Sequence, residues 1–555
     1  MSTANEFETS PVAPNQLQPA KNFAASYSGE HVAGTEFVIG ALFVSWGVST
    51  QDLILGLIIG NLFAVLTWGL ITAPIATNTR LTLYAYLEKI AGPGTVKLYS
   101  VVNGALFAIL AGAMITVSAS AVRVLFDIPT QQGWYPTDIR FVLIALAVGA
   151  VVVTIAMKGF EKVARFAEVC APWMILMFGV GALALIPTLV DATDGVSSMT
   201  SIADFMTVAD SKIWIHKPEE GIGMLHVAAF AWVANLAMHG SLGDMTLLRF
   251  AKKSKYGYFS ALGMFIGHFF AWICAGIMGA GAGILLQRDG LDPGDVASQA
   301  LGAVGILAVI IAGWTTSNPT IYRAGLAFQS INYKWNRTKV TIVVGVITTI
   351  IACSPKVFSG LLGFVGLMGI LLAPVGALIV TEHWIFPKIG LTRYWSNYKN
   401  NTTNIPAVVT WFAGVGFAIL LGEYGLGLLH LFYLLIPVWV FSTVLYIVLA
   451  KAMGAGDAYP QAIEAEKVEQ ARRDAEADYL ASGGQINDTR TEKSAIEKMS
   501  QIISYASLAA CAVIGVGTFT GAFTLDQLRL WLIFPTITYF AAATFAIVKG
   551  NSKAA

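Results

Sequence analysis

The sequence has little charge. Only 12% of its 555 residues are Asp, Glu, Lys or Arg, whereas roughly a quarter of the residues in an ordinary soluble domain are charged. Hydrophobic residues make up 56% of the chain, and many of them stand in runs long enough to cross a bilayer. This combination makes a soluble multi-domain enzyme a poor alternative and indicates a polytopic membrane protein.

The net charge is close to zero, and the chain has only four cysteines. The net charge is +1, which implies no polyanionic partner such as a nucleic acid. The sequence shows no nucleophile–base pair, metal-ligand spacing or phosphate-binding glycine loop, so we do not expect an enzyme. The cysteines are too far apart for a disulfide framework and are expected to be small core residues: Cys170, Cys274, Cys353 and Cys511.

Two long segments are polar. Residues 1–28 lack the apolar core of a signal peptide, and we expect them to form a disordered cytoplasmic tail. Residues 452–500 hold most of the concentrated charge, and their first half is expected to be helical. We interpret 452–500 as a solvated cytoplasmic linker, with a regulatory or partner-binding role as the alternative.

Apolar runs of about 20 residues predict roughly fourteen membrane spans. Lys and Arg concentrate in the loops that follow even-numbered spans, and the opposite loops lean acidic. The positive-inside rule therefore predicts a multi-pass protein of the plasma (inner) membrane with both termini in the cytoplasm. The expected spans are 32–50, 53–76, 97–122, 139–158, 166–188, 225–249, 257–286, 299–330, 338–358, 360–384, 405–422, 429–451, 502–522 and 527–548.

Three stretches place polar residues inside these spans, where such groups are costly and usually face a cavity or a partner helix. They are SGEHVAGTEFVIGALF (28–43), FAWVANLAMHGSLGDMTLLRF (230–250) and WTTSNPTIY (314–322). A cation that leaves water needs oxygen ligands, and an unbroken helix offers none of its carbonyls. The glycines of 28–43 favour a break in the first span, and unwound backbone is tolerated where it lines a cavity.

The neighbouring hydroxyls of Thr315 and Thr316 would complete a cation site beside such a break. Threonine in a membrane helix usually bonds back to the carbonyl one turn earlier, so a purely structural role is the alternative for this pair. A long apolar run follows Glu36, which makes its carboxylate a candidate site group. Glu30 belongs either to the site or to the solvated membrane edge.

The stretch WTTSNPTIYRAGLAF (314–328) resembles the eighth-span signature of the nucleobase–cation symporter family, which includes cytosine and purine permeases and hydantoin and allantoin transporters. Four further stretches resemble this family in the same order, and the set covers roughly residues 30–450. They are GVSTQDLILGLIIGN (47–61), KGFEKVARFAEVCAPWMIL (158–176), SLGDMTLLRFAKKSKYGYFSALGMFIGH (241–268) and GFVGLMGILLAPVGALIVTEHW (363–384).

The resemblance implies an all-α integral membrane protein of the leucine-transporter type. Five spans would be repeated as five more in inverted topology, with spans one and six discontinuous. The ten-helix core would occupy 29–385, two further transmembrane helices 386–451, and the linker 452–500. Residues 501–555 would form two accessory transmembrane helices and a short cytoplasmic tail.

The resemblance also implies site residues by position. A sodium ion would lie between spans one and eight, and the substrate between spans one, three, six and eight. The implied ion ligands are carbonyls near Glu30 and Ala33, the carbonyl of Ala312, and the hydroxyls of Thr315 and Thr316. The implied substrate contacts are Gly34, Thr35, Glu36, Phe37, Phe107, Trp232, Asn235, His239 and Ser241.

The third span departs from the family pattern. Cytosine- and hydantoin-type members carry a Trp and a Gln there, whereas residues 103–121 contain neither, with Asn103 and Phe107 as the nearest substitutes. Glu36 is an acid where a small or amide side chain is expected. Its carboxylate would accept hydrogen bonds from substrate N–H groups, pair with a cationic amine, or carry a proton.

The expected function is sodium-coupled symport of a nucleobase or a related small nitrogen heterocycle by alternating access. One alternative is proton-coupled transport of a different, even cationic, small solute, with Glu36, His239 or Asp244 as the relay. Another is a non-transporting membrane sensor that signals through 452–500. The expected partners are the heterocyclic substrate and membrane lipid, and the sequence leaves the oligomeric state open.

Overall fold

The computed structural model describes residues 10–551 except 33, 159, 289, 333 and 488–493. Over these residues the chain is built from helices, and its β structure is limited to one isolated bridge between Gln18 and Ala251. Ten of the helices described are long and apolar enough to cross a membrane, and three shorter apolar helices accompany them. The all-helical prediction is confirmed for the described chain.

The first half of the chain contains α1 (Ala20–Glu30), α2 (Gly34–Ser45), α3 (Thr50–Thr67), α4 (Ala73–Thr79), α5 (Leu83–Val122), α6 (Ile139–Ala156), α7 (Phe160–Asp191), α8 (Ile202–Val208), α9 (Met224–Val233), α10 (Leu236–His239), α11 (Met245–Leu248), α12 (Ser260–Phe265) and α13 (Trp272–Leu286). Short π-helical turns continue α3 into α4 and α12 into α13.

The second half contains α14 (Pro293–Leu301), α15 (Ala303–Ile331), α16 (Arg337–Ala352), α17 (Lys356–Ser359), α18 (Leu361–Val380), α19 (Trp395–Tyr398), α20 (Ile405–Leu421), α21 (Leu435–Ala450), α22 (Pro460–Ala481), α23 (Ala495–Phe519), α24 (Leu525–Trp531) and α25 (Ile533–Asn551).

Each of the fourteen predicted spans meets a helix or a broken helix. Spans one to seven are α1–α2, α3–α4, α5, α6, α7, α9–α11 and α12–α13; spans eight to fourteen are α15, α16, α18, α20, α21, α23 and α24–α25. The two interrupted spans are one and six, five spans apart, as a five-plus-five repeat requires.

The N-terminal prediction needs a correction. A disordered tail is expected over residues 1–28, but in its described part, residues 10–28, α1 begins at Ala20, and Leu17, Phe23 and Tyr27 are buried. The Gln18 N–H donates to the Phe250 carbonyl at 2.9 Å, so the segment is held against the loop after span six. The buried apolar side chains explain why the composition of residues 1–28 as a whole was misleading.

The linker at 452–500 contains the predicted helix, α22, and this helix is docked on the membrane-spanning bundle. Arg80, at the end of span two, is 2% exposed and forms an ion pair with Glu476 of α22. Its guanidinium also donates to the carbonyls of Arg249 at 2.9 Å and Ala251 at 2.6 Å. A second ion pair joins Lys89 to Glu469 of α22 at 3.0 Å.

Helix α14 is fixed to the C-terminal end of α5, the end away from Lys89. The residues that hold it form a group that we call the α14 charge cluster, comprising Arg123, Arg288, Asp292 and Asp295. Arg123 contacts Asp292 at 2.7 Å and Asp295 at 2.8 Å, and Arg288 contacts Asp295 at 2.5 Å. The side chains of Arg123 and Asp292 are only 5% and 3% exposed. Two arginines thus neutralise two carboxylates at this end of the bundle.

Candidate ion and substrate site

Span one is broken in the middle of the bundle. Helix α1 ends at Glu30, His31 has non-helical backbone angles, and α2 begins at Gly34. The last turn of a helix leaves carbonyls without partners inside the helix, and the negative end of the helix dipole lies there. The carbonyl end of α1 therefore suits a cation. Ala33, an implied ion ligand, lies outside the described residues.

The break in span one lies against span eight, because each of these two spans carries a glycine at the contact. A Cβ atom on Gly34 would lie 3.3 Å from Cα of Gly313 and 3.2 Å from Cγ1 of Val117. Gly313 in turn packs on Ser118 of α5, where a side chain would collide with the Ser118 hydroxyl. These close approaches bring the start of α2 next to the Ala312 peptide of α15.

Three oxygens of span eight meet beside this contact. The hydroxyls of Thr315 and Thr316 both donate to the carbonyl of Ala312, each at 3.0 Å. Thr315 and Ala312 are buried, at 4% and 0% exposure. This is the back-bonded arrangement of a structural threonine pair, yet each hydroxyl oxygen keeps lone pairs for a cation. The structural role and the ion-binding role are therefore compatible.

A second group of polar side chains surrounds the first turn of α2. Glu36 is 1% exposed, and its Oε2 accepts a hydrogen bond from the Thr35 hydroxyl at 2.7 Å. Its Oε1 lies 3.7 Å from Nε2 of His268 in span seven. The same Nε2 lies 3.3 Å from Nδ2 of Asn235, in the break of span six. A carboxylate, an imidazole and an amide thus converge from spans one, six and seven.

Sequence reasoning missed His268. It stands alone in an apolar span, a position where an ionisable side chain is a candidate functional group, and that was the available signal. Its ring stacks on Trp272 with centroids 4.3 Å apart and planes inclined by 11°. Asn61 donates to the His268 carbonyl at 3.2 Å. Stacking and the main-chain contact fix the ring so that Nε2 points toward Glu36 and Asn235.

Span six supplies two further predicted residues. His239 is 0% exposed, and its Nε2 lies 2.8 Å from the Trp232 carbonyl, which ties the two sides of the break together. Ser241 is also fully buried, and its hydroxyl has no hydrogen-bond partner among the described residues. Such an orphaned hydroxyl is available to a ligand.

Three aromatic side chains of spans one, six and eight pack against other spans. The Trp232 indole donates to the Thr67 hydroxyl of span two at 3.1 Å. Phe37 packs on Phe178 of span five at 4.2 Å between centroids and belongs to the core. Trp314 lies beside Phe166 on the side of α15 that faces span five.

Phe107, the predicted third-span contact, is 4% exposed and belongs to the same buried cluster as Met238 of span six. Its neighbourhood is therefore apolar. Gly34 meets span eight rather than an open pocket, which makes it a packing position that allows the break to approach the ion ligands.

Glu30 is held by a third group, which we call the α15 charge cluster, comprising Glu30, Asp244 and Arg323. Arg323 contacts Glu30 at 2.6 Å and Asp244 at 3.7 Å. Tyr27 and Trp68 donate to Asp244 at 3.2 and 2.6 Å. The carboxylate of Glu30 is therefore engaged by Arg323. Arg323 lies within the quoted eighth-span motif but was not singled out.

Comparison with solved structures identifies proteins of similar fold. Neither a family model nor a curated protein sequence matches the chain. Among solved structures, an inward-facing conformation of Mhp1 superimposes with a TM-score of 0.61 at 14% identity, covering 83% of this chain and 98% of that one. Mhp1 in a closed conformation with bromovinylhydantoin bound, described as a nucleobase-cation-symport-1 family transporter, gives 0.61 at 13%, covering 84% and 100%.

The chain has the fold of Mhp1. A substrate-bound, outward-open state of a Na⁺-coupled sialic acid symporter also superimposes, with a TM-score of 0.57 at 15% identity, covering 80% of this chain and 91% of the symporter. At such identities the likeness establishes the fold alone. The leucine-transporter-type architecture that the sequence motifs implied is thereby confirmed, and the chemistry of the site must be argued from its residues.

Proposed function

We propose that this protein is a secondary active transporter that couples a sodium gradient to the movement of a small nitrogen heterocycle by alternating access. The observation that carries the proposal is the break in span one, which adjoins the oxygens of Ala312, Thr315 and Thr316 on one side and the Glu36–His268–Asn235 group on the other. An ion site and a polar ligand site would then share one interrupted helix.

The proposed ion ligands are the carbonyls at the end of α1, including that of Glu30, together with the Ala312 carbonyl and the two threonine hydroxyls. Oxygen ligands and the negative end of a helix dipole both favour a hard cation. Charge supports the same reading, since the α15 charge cluster sets two carboxylates against one arginine. A bound monovalent cation would reduce this imbalance.

The proposed substrate contacts are Glu36, Asn235, His268 and Ser241. A carboxylate accepts hydrogen bonds, an amide donates and accepts, and a neutral imidazole does either according to its tautomer. This mixture complements the alternating N–H and C=O groups on the edge of a nucleobase or hydantoin ring. Trp232 and Phe37 are left out of the contact set, because the Trp232 indole is hydrogen-bonded to Thr67 and the Phe37 ring packs on Phe178.

In the proposed cycle, sodium bridges spans one and eight and orders the substrate site. Opening to the cytoplasm would separate α1 from α15, which requires the Glu30–Arg323 ion pair to break. This assignment of sides rests on the predicted orientation with both termini cytoplasmic. Coupling is reciprocal, so sodium must raise substrate affinity by the same factor as substrate raises sodium affinity.

The ion site is tested by uptake into proteoliposomes under an inward sodium gradient. Replacing Thr315 and Thr316 by Ala removes two oxygens, and we expect the sodium concentration for half-maximal uptake to rise about tenfold or more, since each lost ligand is worth about 1–2 kcal/mol. Thr154→Ala is a matched control, because Thr154 also bonds back along its helix but is exposed on span four. An unchanged sodium response in the double variant would refute the assignment.

The substrate site is tested by thermal-shift binding of pyrimidines, purines, hydantoins and vitamin-like amines, each with and without sodium. We expect stabilisation by one heterocycle class, increased by sodium, and lost in Glu36→Gln and His268→Gln. Stabilisation by cationic amines alone would favour charge pairing with Glu36 over hydrogen bonding to a neutral ring. No response to any compound, together with no solute flux in vesicles, would favour the sensor hypothesis.

The 3.7 Å approach of His268 to Glu36 favours one second candidate, proton coupling through this pair. Uptake in sodium-free medium, with and without a proton uncoupler, separates the two mechanisms. Proton coupling predicts uptake that survives sodium removal, collapses with the uncoupler, and loses its pH dependence in Glu36→Gln.

A further inference from the structure

A groove lies on the far side of span eight from the Glu36 group, where the accessory helix α25 meets α7 and α15. Its volume is about 700 Å³, within the ~300–1,000 Å³ typical of small-molecule sites. Its lining is apolar apart from a few groups, among them Arg165 and Thr544, and includes Phe166, Val169, Trp314 and Ile547. Both α15 and α25 are long and apolar enough to span the membrane, so lipids are the molecules available to fill the groove.

The two helices α7 and α25 are held in a fixed antiparallel register. The Trp173 indole donates to the Thr536 hydroxyl at 3.2 Å, and the Tyr539 hydroxyl donates to the Val169 carbonyl at 2.8 Å. Continuing this register puts Arg165 at the level of Thr544, near the end of the apolar part of α25. The groove therefore has an apolar body and one basic end.

The polar groups gather at that basic end. Arg165 begins the apolar part of span five, where a long cationic side chain reaches the membrane interface. Its neighbour Phe166 contacts Trp314, with ring centroids 6.3 Å apart. The Nε1 atom of Trp314 is buried and has no hydrogen-bond partner among the described residues. A cationic side chain and an indole with an unused N–H donor thus both line this groove.

We propose that this groove binds one anionic phospholipid, with its phosphate at Arg165, a glycerol-ester carbonyl accepting from the Trp314 indole, and an acyl chain between α15 and α25. Basic pockets between transmembrane helices bind anionic headgroups through the same combination of charge and apolar wall. The lipid would connect the accessory helix to the transport core along the back of the helix that carries Thr315 and Thr316.

The test uses the full-length purified protein in vesicles of phosphatidylcholine with or without phosphatidylglycerol. We expect phosphatidylglycerol to be retained through detergent washing, measured by mass spectrometry, and to raise the unfolding temperature by about 2–5 °C. Arg165→Gln should remove both effects. Lys339→Gln is the matched control, because Lys339 is an exposed basic residue at the start of α16, predicted to lie at the same membrane face.

A second variant leaves the charge in place. Ala541→Phe puts a ring into the groove and should displace the acyl chain, so phosphatidylglycerol is lost although Arg165 remains. Retention of phosphatidylglycerol in either groove variant overturns the proposal, as does equal stabilisation by phosphatidylcholine alone. Equal stabilisation by soluble glycerol phosphate would reveal a simple anion site and would also overturn it. None of these results depends on transport or on its substrate.

Discussion

The α14 and α15 charge clusters differ in burial and in charge balance. Along α15, Arg323 lies 20 residues from the first helical residue, Ala303, which is about 30 Å at 1.5 Å per residue. In the α14 cluster, two arginines meet two aspartates, and the Arg123–Asp292 pair is 5% and 3% exposed. In the α15 cluster, one arginine serves two acids, and the Arg323–Glu30 pair keeps 22% and 21% exposure.

The difference between the two clusters predicts which one matters for stability and which one matters for transport. The α14 cluster is balanced in charge and its Arg123–Asp292 pair is enclosed, so we expect it to stay intact during a cycle, because breaking that pair would strand charges inside the protein. The α15 cluster has one carboxylate in excess and a partly accessible Arg323–Glu30 pair, so it is more easily rearranged. Its members lie on spans one, six and eight, and spans one and eight form the proposed ion site. We therefore expect the α14 cluster to matter most for stability and the α15 cluster to matter most for transport.

Arg123→Gln should have the largest effect on stability. It leaves the buried Asp292 without its cation, although Asp295 keeps Arg288, and removal of one partner from a buried pair costs about 3–5 kcal/mol. Thermal unfolding of the purified protein measures the loss. Adding Asp292→Asn should restore part of it. Arg140→Gln, at the exposed pair with Asp138, is the control and should leave the unfolding temperature unchanged.

Arg323→Gln should reduce stability less, by about 1–3 kcal/mol, because its partners are partly accessible or hydrogen-bonded to other residues. Uptake into vesicles should nevertheless be nearly abolished, since the contact between α1 and α15 is lost. The double variant Glu30→Gln/Arg323→Gln should regain stability without regaining transport. A variant that transports normally, or that unfolds more easily than Arg123→Gln, would contradict the division of roles between the clusters.

Glu476→Gln tests α22 and should cost about 1–2 kcal/mol. The buried Arg80 loses its ion pair but keeps the carbonyls of Arg249 and Ala251. Limited proteolysis within the linker measures undocking of α22, which should become faster in the variant. Unchanged proteolysis would mean that the other contacts of α22 are sufficient to hold it.

Glu469→Gln should have the smallest effect, below about 1 kcal/mol, because its partner Lys89 is 36% exposed. The difference from wild type in the same proteolysis assay should vanish at high salt, where surface charges are screened. If Glu469→Gln has the same effect as Glu476→Gln, or if its effect persists in salt, then the contributions of these two contacts to the docking of α22 do not follow their burial.

The fold was largely predictable, because each span is a continuous apolar segment whose length is set by the bilayer. The break in span one was foreseen from the glycines and acids of 28–43, and the cluster of oxygens around Ala312 from the two threonines. The partners of these groups were not foreseen. Glu36 meets His268 and Glu30 meets Arg323, and the sequence has no pattern that links either partner to the first span.

Sequence by itself determined the all-helical class, the approximate positions of the apolar helices, and where two of the predicted spans are interrupted, since lipid requires each segment to satisfy its own backbone hydrogen bonds. Only the tertiary structure decided which way Trp232, Phe37 and Trp314 face, which arginine holds Glu30, and that α22 is docked rather than free. These outcomes depend on how each helix is rotated against its neighbours, and residues distant in the chain set that rotation together.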